Sequence, residues 1–239
     1  MDRKLWEPED SPPCEQGSQT IQLPYFNKFE TILEYEKSFL LGQIDFVSFL
    51  GVQCPICGRE DCYRAIPPYW RYAIELFPGF RKRRIPIARF ICRGRRKTFS
   101  LLPIQLIPYF QYTVGAVIGT LLFGMGCWQR GQKGFHGASL EVDPESLVTP
   151  WLITCWLVAV LQGLRRAHFA LRQFYNLDGI YLPNRVGAWE ESAQYFAAFG
   201  LKSKAHGYRL LMDLVDHYSR RTGQFLFGTP SQYRGSVLR

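Results

Sequence analysis

Cys54-Pro55-Ile56-Cys57-Gly58, then Cys62, then Cys92-Arg93-Gly94-Arg95-Arg96-Lys97-Thr98-Phe99-Ser100 is the stretch on which the reading of this chain turns. A C-x-x-C turn followed by Gly lets two thiolates converge on one ion, and the Gly lets backbone amides turn toward the sulfurs. A structural zinc site wants four soft or borderline ligands in a tetrahedron, and Cys54, Cys57, Cys62 and Cys92 supply a four-thiolate set for one ion. A ribbon normally ends in a second C-x-x-C, whereas here the pattern is Cys92-Arg93-Gly94-Arg95. Either Cys62 takes the missing place, or the module is a degenerate, metal-free ribbon held by packing. A redox C-x-x-C is the third reading, and no thioredoxin-like βαβ pattern surrounds this one. Cys14, Cys127 and Cys155 lie in a polar lead or in apolar segments and read as core or free thiols.

The same stretch carries the charge. The chain has 239 residues and a formal net charge of +9. Residues 59–97 hold twelve basic and three acidic residues, a local +9 equal to the whole excess, while residues 1–45 are at −5. Arg81, Lys82, Arg83, Arg84, Arg89, Arg93, Arg95, Arg96 and Lys97 occur within 81–97 without one acid. Such a field concentrates polyanions, because each neutralised phosphate releases condensed counterions. Tyr69, Trp70, Tyr72, Phe77, Phe80, Phe90 and Phe99 interleave with these charges, which distinguishes an ordered basic module from a solvated basic tail.

Composition sets the outer limits. Apolar residues make up 47% and aromatics 15%, enough for a core and too much for a disordered chain. Seven cysteines are too few for a disulfide scaffold, and their odd number argues for a reduced, cytoplasmic setting. Residues 1–30 lack an apolar leader segment.

Along the chain, residues 1–24 read as an irregular acidic lead, 26–39 as an amphipathic helix, and the run from Asp45 as a short turn or strand. Residues 85–91 alternate and predict a strand running on through Cys92 to Thr98-Phe99-Ser100. Residues 104–128 are apolar, and 128–143 read as a glycine-containing loop. Asp143-Pro144 and Thr149-Pro150 are both helix-start signatures. They predict a short helix followed by one over roughly 150–175, a helix-turn-helix in which Gln162, Arg165 and Arg166 are the polar candidates for reading bases. Helices are expected near 188–199 and 206–221, with an irregular tail from 225. The expected fold is therefore mainly α with a small β zinc-ribbon-like insert and a helical bundle containing the helix-turn-helix. Four segments follow: a lead and helix over 1–45, the basic ribbon over 46–103, the helix-turn-helix region over 104–175, and a C-terminal helical region over 176–239.

The cysteine and basic motifs carry a resemblance. Cys-Pro-x-Cys-Gly, the basic β segment, and Cys92-Arg-Gly-Arg-Arg-Lys-Thr98-Phe99-Ser100 resemble the N-terminal zinc ribbon of insertion-sequence transposases. With Leu101-Leu102-Pro103 after the ribbon, the chain is also similar to short bacterial transposase-related proteins of unknown function. The likeness covers about 54–103, and it departs at Arg95, where the family has its fourth cysteine. It implies a ribbon and helix-turn-helix that contact double-stranded DNA, with the ribbon's Lys and Arg on phosphates.

Catalytic signals are sparse. A transposase nuclease needs carboxylates holding two metal ions, but Glu141, Asp143, Glu145, Asp178, Glu190, Glu191, Asp213 and Asp216 do not end β-rich apolar runs. Asp213 and Asp216, beside His217, read as a solvated helix face. No P-loop, H-E-x-x-H or G-x-S-x-G pattern occurs, and His136, His168, His206 and His217 form no ligand-spaced pair. The expected function is non-catalytic binding of duplex DNA by a transposase-derived, cytoplasmic protein, with no small-molecule substrate. A separate catalytic or effector protein is the implied partner, and a homodimer is compatible with the sequence. An RNA or ribonucleoprotein component is one alternative. The other is a small membrane protein spanning at 112–128 and 147–164 with Arg165 and Arg166 as a cytoplasmic flank. Glycines, Pro150, Thr154 and Gln162 in those segments, with a mean hydropathy of −0.12, favour buried helices instead.

Overall fold

The computed structural model describes residues 21–25, 29, 31–132, 134–143, 147–175, 187–198 and 204–228. The lead over 1–20 with Cys14, the start of the expected first helix at Phe26, Glu145, Asp178, most of the 176–187 loop and the tail beyond 228 lie outside the described residues, as does the side chain of His206.

Among the described residues, four strands build one mixed sheet: β1 (Ile21–Tyr25), β2 (Tyr63–Glu75), β3 (Arg81–Cys92) and β4 (Lys97–Pro103), in the order β1-β4-β3-β2. β2 and β3 form a long antiparallel hairpin from Tyr63↔Cys92 to Glu75↔Arg81, with a bulge between Ile66 and Tyr69 at Pro67-Pro68. Proline cannot donate to a ladder, so this pair interrupts the register and blunts the edge of the sheet. β4 pairs antiparallel with β3, and β1 pairs parallel with β4 from Ile21↔Phe99 to Tyr25↔Pro103.

Seven helices occur among the described residues: α1 (Ile32–Leu40), α2 (Phe46–Leu50), α3 (Val114–Gln129), α4 (Gly134–Val142), α5 (Pro150–Tyr175), α6 (Ala188–Ala198) and α7 (Lys204–Thr222). Their starts follow local chemistry. Thr31, Asp45, Thr113 and Thr149 accept hydrogen bonds from Glu34, Val47 and Ser48, Ala116 and Leu152, satisfying amides that have no partner inside the helix.

The expectation of a mainly α fold with a helix-turn-helix bundle is overturned: this is an α/β fold. Part of the lead read as irregular is β1, whose partner β4 lies more than seventy residues away in sequence, and no local pattern reports such a pairing. The segment from Asp45 is a capped helical turn, and the 128–143 loop contains α4. Asp143 opens no helix that the described residues show. Its Oδ2 accepts from the Val148 amide at 2.7 Å, which ties Asp143 to the residue two positions ahead of α5. α5 is a continuous helix of 26 residues whose inward side, including Ile153, Trp156, Val160, Leu164 and Leu171, is core.

Among the described residues, two apolar clusters form the core. One lies around the hairpin and the first two helices, with Tyr35, Ile85, Ile87, Phe90, Phe99 and Leu101. The other joins α3 to α7 with Ile74, Leu76, Ile104 and Ile107 from the β part. Arg71 links them: its guanidinium donates to the carbonyls of Ile107 and Phe110, clamping the 104–113 connection to β2. At the hairpin tip, Phe77 lies against Gly119 of α3 so closely that a Cβ there would come within 2.5 Å of the ring. No described helix is long and apolar enough to cross a membrane.

Candidate metal centre and basic surface

The four cysteines arrive from two turns. Gly58, at φ +72°, closes the first turn by donating to the Cys54 carbonyl at 2.8 Å, and the Cys54 amide returns to the Arg59 carbonyl at 2.9 Å. Cys62 stands just before β2 and Cys92 ends β3. The Arg93 amide donates to the Cys62 carbonyl at 2.9 Å, so the base of the hairpin sets the second pair against the first.

The four Sγ atoms all lie within 4.8 Å of one another. Cys57 and Cys62 sulfurs are 3.2 Å apart, and those of Cys62 and Cys92 are 3.5 Å apart. Four thiolates about 2.3 Å from one central ion stand roughly 3.8 Å apart, so the set fits a tetrahedral metal ion. The Gly94 amide donates to the Cys62 sulfur at 3.3 Å, and the Arg95 amide to that of Cys92 at 3.4 Å. A Cβ on Gly94 would come 3.4 Å from the Cys62 sulfur. The turn Cys92-Arg93-Gly94-Arg95 thus aims two backbone amides at the sulfurs of Cys62 and Cys92.

Electrostatics at the site are divided. The Arg59 backbone amide stabilises the Cys57 thiolate and brings its pKa down to about 7. Burial pushes Cys92 up to about 12 and also raises Cys54. A bound cation reverses the burial effect, since a coordinating thiol is deprotonated outright. Among the described residues no other group of three or more Cys, His, Asp or Glu side chains is close enough to share an ion. Asp216 is paired instead with Arg220 at 2.7 Å.

The cations sort into three groups. Arg93, Arg95, Arg96 and Lys97 are exposed on the knuckle between β3 and β4, and Arg81, Lys82 and Arg84 are exposed on the hairpin. Arg59 and Arg64, not singled out among the sequence candidates, are exposed beside the same cysteines; their closeness to Cys57 and Cys62 in the chain is the signal that points to them. Arg83 and Arg89 are half-buried. Arg83 lies 3.8 Å from Glu36 and 3.9 Å from Glu75, and Arg89 lies over Tyr69. The α5 candidates are placed differently. Gln162 is exposed, but Arg165 is locked onto the buried carboxylate of Glu191 through two hydrogen bonds, and Arg166 donates to the carbonyls of Leu226 and Gly228. Both arginines hold other parts of the chain to α5.

No protein-family model, curated protein or solved structure matches the chain.

Proposed function

We propose that the chain is a non-catalytic nucleic-acid-binding protein, transposase-derived as its ribbon resemblance implies, whose four-cysteine knuckle holds one structural zinc ion and presents a basic surface to the phosphates of double-stranded DNA. The observation that carries this reading is the juxtaposition of the four-thiolate cluster with exposed Arg59, Arg64, Arg93, Arg95, Arg96 and Lys97. An all-thiolate tetrahedral set selects zinc or iron–sulfur chemistry. Zinc suits a closed structural site because it brings no redox activity and leaves no open coordination position. The ion would fix the base of the β2–β3 hairpin, and the arginines would then be displayed on a rigid turn rather than on a flexible loop. Phosphate contacts of this kind set position and affinity without reading sequence.

A salt series tests the reading. Log affinity for a duplex should fall linearly with log salt, with a slope of about −0.9 per phosphate neutralised. Replacing Arg93, Arg95 and Arg96 together by alanine should reduce the slope by roughly two to three. Band-shift titrations at several salt concentrations read both quantities, and a slope unchanged in the triple variant would remove the knuckle from the interface.

A further inference from the structure

The basic surface has a second part with different chemistry. On β2, Trp70 and Tyr72 are both about two-fifths exposed, at 42% and 41%. They occupy alternate positions and therefore project from the same face of the strand, roughly 6.7 Å apart along it. Across the hairpin, Tyr72 pairs with Arg84, and Ile74 with Lys82. The Lys82 ammonium sits 4.4 Å from the centre of the Tyr72 ring, which holds that flexible cation in place by its attraction to the ring's negative face. Trp70 pairs with Pro86, which is itself buried. Its indole is therefore open to solvent on the strand face that also carries Tyr72, with Arg84 and Lys82 following on the partner strand.

An exposed apolar edge strand would ordinarily invite another strand. Pro67 and Pro68, both exposed at the bulge of β2, block strand addition at this edge. What the patch complements is a ligand with flat π faces and negative charge on one backbone, and a nucleic-acid strand with unpaired bases is that ligand. Duplex DNA offers phosphates to Lys82 and Arg84, but its bases are already stacked on one another and leave Trp70 nothing to cover.

We propose that Trp70 stacks one unpaired base of a single-stranded DNA extension while Lys82 and Arg84 hold the neighbouring phosphates, so that the preferred target is a duplex carrying a single-stranded end. The inference rests on the nucleic-acid reading above and names its substrate class. The knuckle cations grip the duplex, and the hairpin takes the strand that leaves it. Lys82 and the Cys92 end of β3 are separated by ten residues, about 33 Å of strand, enough length for one module to touch both parts of such a junction.

The test uses the full chain and three labelled probes: a blunt duplex, the same duplex with an oligo-dT extension, and the oligo-dT strand alone. Fluorescence anisotropy should show the tailed duplex bound roughly tenfold more tightly than the blunt one, in line with the stacking of a single base on an aromatic ring. Trp70→Ala should abolish that difference and leave blunt-duplex affinity unchanged, and Trp70→Phe should retain most of it. Thermal melts of both variants verify that the exposed substitution leaves the fold intact. Equal binding of blunt and tailed duplexes by the wild-type chain, or equal weakening of both by Trp70→Ala, would overturn the inference while leaving the phosphate-binding reading standing. No binding of any probe at low salt would overturn both.

Discussion

Cys62 is the residue on which the candidate metal centre depends, because it replaces a ligand that the turn at Cys92 does not provide. Its sulfur lies 3.2 Å from that of Cys57 and 3.5 Å from that of Cys92, and it accepts from the Gly94 amide. Losing it leaves three thiolates and an open position, the geometry of a catalytic rather than a structural zinc site. Cys62→Ser and Cys92→Ser should each lower the metal content of the purified protein from one ion per chain toward none, as read by elemental mass spectrometry. Full zinc stoichiometry in either variant would refute the four-residue ligand set. Since binding energy at a structural site is also folding energy, chelation should loosen the β2–β3 base, and amide exchange at Arg93, Gly94 and Arg95 should accelerate first.

At the scale of elements, α5 is a structural spine. Trp156 packs edge-on against Tyr112 at 4.7 Å between ring centres, and Arg165 and Arg166 reach out to α6 and to the segment after α7. The Arg165–Glu191 pair is one-sided: the Glu191 carboxylate is buried, whereas Arg165 is about half exposed. Removing the arginine strands a buried negative charge, which costs more than the pair itself contributes. Arg165→Ala should destabilise the protein by about 1–2 kcal/mol in urea unfolding, between the values for exposed and fully buried pairs, and Arg165→Ala combined with Glu191→Leu should recover much of the loss. A single-variant loss below about 0.5 kcal/mol would mean that the pair behaves like a solvent-screened surface contact.

For the whole molecule, buried tyrosines tie the two apolar clusters to an alkaline limit. Tyr35 donates to the Pro86 carbonyl inside the β-side cluster, and burial raises its pKa. Tyr195, packed against His168 in the helical cluster, is pushed up to about 12, chiefly by burial. A hydroxyl whose folded pKa lies above its unfolded value of about 10 contributes its full stability below pH 10 and loses it as the pH rises from there toward the folded pKa. Denaturant midpoints should therefore be insensitive to these groups up to about pH 10 and fall between about 10 and 12. Tyr195→Phe should flatten that fall, and an equally steep decline in the variant would assign it elsewhere.

Local sequence determined the chemistry that acts over a few residues. The Cys54–Cys57 turn, the run of β-formers that makes β3, the Thr149-Pro150 start of α5 and the two C-terminal helices are all legible, because turns, caps and apolar runs are written within one or two turns of chain. The concentration of charge between 59 and 97 is equally plain. Tertiary structure alone decided the rest. β1 is a strand because β4 is there to pair with it, and pairing across such a separation leaves no periodic trace. Arg165 and Arg166 read in sequence as polar candidates for contacting bases on the long helix, but Glu191 and the carbonyls of Leu226 and Gly228 claim them from elements far along the chain. Cys62 belongs with Cys92 because antiparallel pairing of β2 and β3 brings the two ends of the hairpin together. Spacing could nominate these four sulfurs, but only the closed hairpin places them within reach of one ion.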